Sequence, residues 1–180
     1  MNRLGLASFV FGILVVAFCA CRQVNAPRAG TTVPTFQYVK EKEGGCRDLF
    51  FFKESADGLE VLWISADKEK LKLAAKGSVT FEVAGTDGLE VGVDLWEKAP
   101  SSSAYCNDIA LDTEKKATWR ATKGKLTITM SEPTEPDKAG LKIYKAGARL
   151  EQVTFEDGAG NRAMLKEECI TDVLVGWFPG

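Results

Sequence analysis

The chain has 180 residues, a formal net charge of −2, 45% hydrophobic residues and no histidine. The absence of histidine excludes Ser-His-Asp and Cys-His catalysis and every metal site that needs an imidazole ligand. The sequence has no run of basic residues, so its charge gives no reason for it to bind nucleic acid. No cofactor is expected.

The N-terminus carries the most informative pattern. Arg3 precedes an almost uncharged apolar stretch over residues 4–18, long enough for the hydrophobic region of a signal peptide but short for a membrane span. Residues 18–21 then read FCAC, which resembles the lipobox of bacterial lipoproteins, in which an aliphatic and two small residues precede the acylated cysteine. Phe18 stands where leucine is usual, and Cys19 where alanine or serine is usual. An ordinary secretory signal is the alternative.

The lipobox resemblance implies a lipid anchor. It implies a diacylglyceryl group on the Cys21 thiol, usually with N-acylation, and two or more acyl chains make attachment stable. Arg22 follows instead of the aspartate that retains some lipoproteins at the inner membrane, which favours the outer membrane, facing the periplasm or the cell surface. Residues 1–20 are therefore expected to be the signal peptide. Residues 21–35 are expected to be the lipidated N-terminus and a flexible tether, reaching roughly 20 Å, and residues 36–180 one domain. The alternative for the tether is that it folds along the domain surface.

From residue 36 onward, short segments of alternating apolar and polar residues predict half-buried strands separated by turns. In the clearest segment, Leu89, Val91, Val93 and Leu95 share one face. Lys-Gly at 123–124 and residues 156–161 are predicted turns. The predicted strands cover residues 48–53, 59–63, 79–83, 89–96, 118–121, 126–130, 141–145 and 149–156, with a β-bulge in the last.

This spacing predicts an all-β fold, specifically an antiparallel, immunoglobulin-like β-sandwich. The C-terminal segment is ambiguous. Leu165, Cys169, Val173 and Trp177 recur every four residues, as on a helix face, but residues 169–177 also alternate as a strand. β-Branched residues favour the strand, and one short helix near the C-terminus is the alternative.

Three cysteines follow the anchor: Cys46, Cys106 and Cys169. An exported location permits a disulfide. Cys46 and Cys106 both lie in turn-like or loop-like sequence at the ends of predicted strands, so they are the predicted pair. Cys169 alternates with apolar residues, which predicts a buried free thiol. Three unpaired thiols are the alternative.

Two acidic clusters offer oxygen ligands for calcium. One contains Asp108 and Asp112, and the other contains Asp157 and Asn161 in the Glu-Asp-Gly-Ala-Gly-Asn turn. Neither matches the EF-hand pattern, and Asp-Gly is above all turn chemistry. No metal site is therefore predicted, and calcium remains the alternative.

Trp96 is the candidate binding residue, because alternation places it on the opposite face from Leu95 and predicts an exposed ring. A second packed layer that covers it is the alternative. The sequence as a whole predicts a lipid-anchored, non-catalytic structural or interaction module of the bacterial cell envelope. It would contact the membrane through Cys21 and an envelope protein or a glycan through its surface. The alternatives are a lipoprotein that binds a glycan or small molecule, and a histidine-free hydrolase that uses two facing acids.

Overall fold

The computed structural model describes residues 32–47, 49–100, 105–106, 113–133 and 143–176. Within them the fold is all-β, as predicted. Its eight strands are β1 (Tyr38–Cys46), β2 (Phe50–Ser55), β3 (Glu60–Ala66), β4 (Gly77–Glu82), β5 (Leu89–Trp96), β6 (Lys115–Pro133), β7 (Ile143–Glu156) and β8 (Arg162–Gly176).

All eight strands belong to one antiparallel sheet, in the order β1-β2-β3-β5-β6-β7-β8, with β4 paired to β6. The 19-residue β6 is long enough to hold two neighbours along one edge. Its N-terminal part pairs with β5, where Gly92 faces Arg120, and its C-terminal part pairs with β4, where Gly77 faces Met130. The sheet nearly closes into a barrel. Near the seam between β8 and β1, the Gly176 amide donates to the Arg47 carbonyl at 2.6 Å.

The immunoglobulin-like sandwich of two sheets is not confirmed, because the described strands form one hydrogen-bonded sheet. The predicted turn at Lys123-Gly124 is wrong. β6 runs straight through it, so two predicted short strands are one long strand. Gly124 has a φ of 123°, and a Cβ on it would lie 2.6 Å from the Cα of Val153 on β7. Glycine there permits close contact between strands instead of a chain reversal.

The predicted bulge in β7 is confirmed. Lys123 pairs with Thr154 and Lys125 with Glu151, so a two-residue step on β6 faces a three-residue step on β7. Gln152, between them, has a φ of 53°. The bulge keeps Val153 and Phe155 on the core-facing side.

A C-terminal helix is not seen. Residues 162–176 form β8, so the strand interpretation is correct up to Gly176, while Trp177 lies outside the described residues. No helix that could cross a bilayer occurs in the described part of the chain.

Core packing follows the alternation of the strands. Leu89, Val91, Val93 and Leu95 are all buried, as β5 alternation predicts. Trp119, opposite Val93 on β6, is fully buried. The largest fully buried side chains are Trp119, Phe51, Phe155, Leu49, Leu62, Ile64, Leu126, Ile128, Leu150 and Ile170.

An ion triad formed by Lys53, Glu43 and Glu168 joins β1, β2 and β8 beside the seam. The Lys53 Nζ lies 2.9 Å from Glu168 Oε1 and 3.2 Å from Glu43 Oε2, and it donates to the Cys169 carbonyl at 2.7 Å. Burial lowers the pKa of Lys53, but the hydrogen bonds and charges of Glu168 and Glu43 outweigh it and raise the pKa overall. Arg47 and Gly176 form only an isolated main-chain bridge at the seam. The side chains of the triad add a second link between β1 and β8.

Candidate functional site

The predicted disulfide is present. Cys46, the last residue of β1, is bonded to Cys106, with their Cα atoms 5.8 Å apart. Cys169 is a free thiol, as predicted, although it is half-buried rather than buried. Burial is the main reason that its pKa is raised. The disulfide fixes residues 105–106 against the outer face of the sheet.

Tyr105 is therefore held over an outer-face aromatic cluster made by Phe50, Phe52, Trp63, Trp96 and Tyr105 itself. The Tyr105 ring stacks on Phe50 and Phe52, with centroids 6.0 Å apart in both pairs, and meets the Trp96 ring edge-on at 6.1 Å. Phe50 also stacks on Trp63 at 6.4 Å. These contacts form a second packed layer on the sheet.

A buried carboxylate, Asp94, anchors this layer and is only 1% exposed. Its Oδ2 atom accepts a hydrogen bond from the Tyr105 hydroxyl at 3.0 Å and pairs with the Lys115 Nζ at 2.8 Å. Its Oδ1 atom accepts from Thr118 at 2.8 Å. Burial, followed by the Asp94 charge, raises the pKa of Tyr105, so the phenol stays protonated as a donor.

The predicted exposure of Trp96 is wrong, because only 3% of the residue is exposed. Tyr105 covers the ring, and the Trp96 Nε1–H donates to the Tyr105 hydroxyl at 3.0 Å. The packed-layer alternative is the correct one. Trp63 is also covered, since Phe50 stacks on it and the Arg120 guanidinium lies 4.6 Å from its ring centroid.

The end of the predicted tether lies against the sheet. Glu60, only 5% exposed, accepts hydrogen bonds from the Thr35 amide at 2.6 Å and hydroxyl at 3.0 Å, and from the Phe36 amide at 2.8 Å. Pro34 is buried, and the Phe36 ring lies 5.6 Å from that of Phe155. Residues 32–36 are called the docked segment below. Sequence periodicity gave no signal for this contact, since the segment has none.

A surface cleft opens at the same end of the sheet, beside the turn between β2 and β3. Its volume is about 570 Å³, and it is lined by Glu41, Lys42, Glu43, Phe52, Glu54, Gly58, Ala99 and Pro100. Glu54 is only 4% exposed, and its Oε1 atom is buried with no hydrogen-bond partner among the described residues. Sequence reasoning missed Glu54, although an acid two residues after Phe52, on the same strand face, was the available signal.

The calcium candidates are not brought together with this cleft. Asp157 accepts turn hydrogen bonds from the Ala159 and Asn161 amides and from the Asn161 side chain, at 2.8–2.9 Å. These bonds, that of the Asn161 side chain first, lower the pKa of Asp157. Asp108 and Asp112 lie outside the described residues. Among the described residues, no group of three or more potential ligand side chains could hold a metal ion.

Comparisons with protein-family models, with curated proteins and with solved structures found no match to this chain. Its function is therefore inferred from its residues and their geometry.

Proposed function

We propose that this protein is a lipid-anchored, non-catalytic interaction module of the bacterial cell envelope, attached to the outer membrane through Cys21. The observation that carries the proposal is the FCAC sequence at residues 18–21, after an apolar stretch of signal-peptide length. It faces the periplasm or the cell surface, where a disulfide such as Cys46–Cys106 is stable.

The docked segment supports a module held close to its membrane. Ten residues, 22–31, separate Cys21 from the first described residue. As a flexible coil they would reach roughly 17 Å. The reach expected for the predicted tether of residues 21–35 is roughly 20 Å. Because Glu60 binds Thr35 and Phe36, the β2–β3 end of the domain would be the end nearest an anchor at Cys21.

Three of the four buried charged residues in the described part of the chain make contacts that suit a structural or binding role, and Glu54 is the fourth. Asp94 is engaged by three neighbours, Glu60 holds the docked segment, and Lys53 sits in the ion triad. Each of these three groups is thus engaged in hydrogen bonds or ion pairs within the protein. Of the acids beside Glu54 in the cleft, Glu43 is engaged by Lys53 and by Thr171, at 3.2 Å from the Thr171 hydroxyl.

The test is to express the full chain with Cys21→Ala and, as a matched control, Cys19→Ala. Wild type and Cys19→Ala should stay in the detergent-soluble membrane fraction and show the mass of a cleaved, acylated chain. Cys21→Ala should lose the acyl mass and either leave the membrane or remain uncleaved. An unmodified Cys21 in the intact-mass spectrum of the wild type would contradict the proposal.

A second candidate function is small-molecule binding, and the cleft around Glu54 favours it. The glycan form of this idea has less support, because the Trp96 and Trp63 rings already contact other side chains of the layer. The measurement is a binding titration on the purified protein, for which the cleft itself indicates the ligand chemistry.

A further inference from the structure

The Glu54 carboxylate is an unusual group to leave incompletely bound. Only 4% of the residue is exposed, and its Oε1 atom has no hydrogen-bond partner among the described residues. A buried acceptor without a donor is costly, and more so when it is charged. Burial accordingly raises the pKa of Glu54, and only the charge of Lys42 acts in the other direction. A donor that also carried positive charge would remove both penalties.

The path of β1 leaves a cleft beside the Glu54 side chain, which forms part of the cleft wall. A five-residue step from Tyr38 to Glu43 on β1 faces a two-residue step from Ser55 to Lys53 on β2. The extra residues of β1 arch away from β2 and leave the cleft over the Glu54 carboxylate. The absent side chain of Gly58 adds to this opening, because a Cβ there would lie 3.7 Å from Glu54 Oε2.

Among the described residues, Lys42 is the only basic residue that lines the cleft, and its side chain does not fill it. The Lys42 Nζ donates to the Ala56 carbonyl at 2.8 Å, and it makes no ion pair within 4.0 Å of Glu54. The Glu54 carboxylate therefore lies near a positive charge, but the Lys42 ammonium is bound to the Ala56 carbonyl instead of to Glu54.

The cleft walls narrow the chemistry of the occupant. Calcium requires six to eight oxygen ligands, and the wall formed by Phe52, Ala99 and Pro100 supplies apolar surface instead. An ammonium ion on an alkyl chain matches that surface better. Its N–H groups would donate to the Glu54 carboxylate, and its methylenes would lie along the apolar wall.

We propose that this cleft binds an alkylammonium group, with Glu54 as the anionic anchor and Phe52, Ala99 and Pro100 as the apolar wall. The group could belong to a free diamine or to a lysine side chain, since both present the same chemistry. The proposal deepens the second candidate function and is independent of the anchor. Acylation of Cys21 and amine binding are measured separately, so either can fail without the other.

The probe is 1,5-diaminopentane, titrated calorimetrically into the full-length protein in a non-ionic detergent at low ionic strength. Pentane-1,5-diol is the uncharged control, and Nα-acetyl-lysine methylamide tests a lysine side chain. The diamine should bind and the diol should not. Stronger binding of the lysine derivative would identify a peptide as the source of the ammonium, and stronger binding of the diamine a small molecule. Equal binding of the diol, or no binding of either amine, would overturn the proposal.

Three variants locate the site. Glu54→Gln should weaken diamine binding at least about tenfold, because it removes the charged acceptor. Glu41→Gln, an exposed acid at the rim, should change the affinity by no more than about twofold. Lys42→Gln should tighten binding by removing a repelling charge.

A loss of diamine affinity in Glu54→Gln should not come from unfolding of the variant. Glu54→Gln removes a buried charge whose pKa is raised, so the variant should unfold at the same temperature as the wild type or higher. In addition, the carboxyl carbon of Glu54 in the wild type should titrate at lower pH when the diamine is present, as read by carbon NMR. A titration unmoved by the amine, or an equal loss of affinity in Glu54→Gln and Glu41→Gln, would refute the assignment.

Discussion

Replacing Lys53 with methionine should test whether the ion triad closes the sheet. The Lys53 and Glu43 side chains are each 8% exposed, and the Glu168 side chain is 18% exposed. Lys53→Met would leave two largely buried carboxylates without their cation. Removing one partner of a buried ion pair costs about 3–5 kcal/mol. The lower end is expected here, because Glu168 also accepts from the Cys169 amide at 3.0 Å.

Urea unfolding at neutral pH, followed by tryptophan fluorescence, measures this loss as a fall in the free energy of unfolding. Lys70→Met is the matched control, since the pair that Lys70 forms with Asp87 is exposed, with side-chain exposures of 54% and 85%. The control should change stability by no more than about 0.5 kcal/mol. A loss below about 1 kcal/mol in Lys53→Met would refute the idea that the triad stabilises the seam.

Two further measurements separate charge from packing. The triple variant Lys53→Met, Glu43→Gln, Glu168→Gln should recover much of the lost stability, because no charge remains buried without a partner. The pKa of Lys53 is raised in the folded state. Its stabilisation is therefore complete below the unfolded pKa of about 10.4 and is lost as pH rises through the folded pKa. Lys53→Met should lack this alkaline loss of stability, as measured by urea titrations at increasing pH.

Four further variants test the fold and the site. Gly124→Ala should cost about 2–4 kcal/mol in urea unfolding, since a Cβ there would lie 2.6 Å from a backbone carbon of β7 at a φ of 123°; an unchanged midpoint would contradict this close packing. Replacing Cys46 and Cys106 together by serine should cost about 4 kcal/mol by the chain-entropy model, because the bond closes a separation of 60 residues, and peptide mapping without reduction should find this bond in the wild type. Trp96→Ala should cost about 3–5 kcal/mol, as expected for a buried ring, whereas a loss near zero would restore it as an exposed contact. Glu60→Ala should release the docked segment, which limited proteolysis would detect as faster cleavage there than in the wild type.

Alternation predicted the parts of the fold that depend on one strand at a time. The core face of β5 follows directly from a period of two, because Leu89, Val91, Val93 and Leu95 all point to one side of the sheet. The disulfide was predicted from loop-edge positions, which place two cysteines where they can approach without distorting the sheet.

The errors come from contacts between segments far apart in sequence. Trp96 alternates onto the outer face, but residues 105–106 are held over that face by a disulfide, and local sequence does not encode such a layer. At Gly124 the same residue type suits a turn or a close approach of strands, and only the bulge around Gln152 on β7 decides between them. Glu54, whose Oε1 atom has no hydrogen-bond partner among the described residues, lies beside the register shift of β1, and that shift leaves no period in the sequence.

The docked segment and the cleft share one end of the domain, and this arrangement connects the two proposals. Glu60, which holds the docked segment, and Glu54, which lies in the cleft, flank the same turn between β2 and β3. If Cys21 carries the anchor, as we propose, only ten residues, 22–31, separate it from the docked segment, and the cleft would lie close to the bilayer surface. A freely rotating domain on a long tether would present the cleft at any distance. Under both proposals, the contact at Glu60 would restrict the distance from the membrane at which an ammonium-bearing partner binds, and Glu60→Ala should relax that restriction while leaving diamine affinity in solution unchanged.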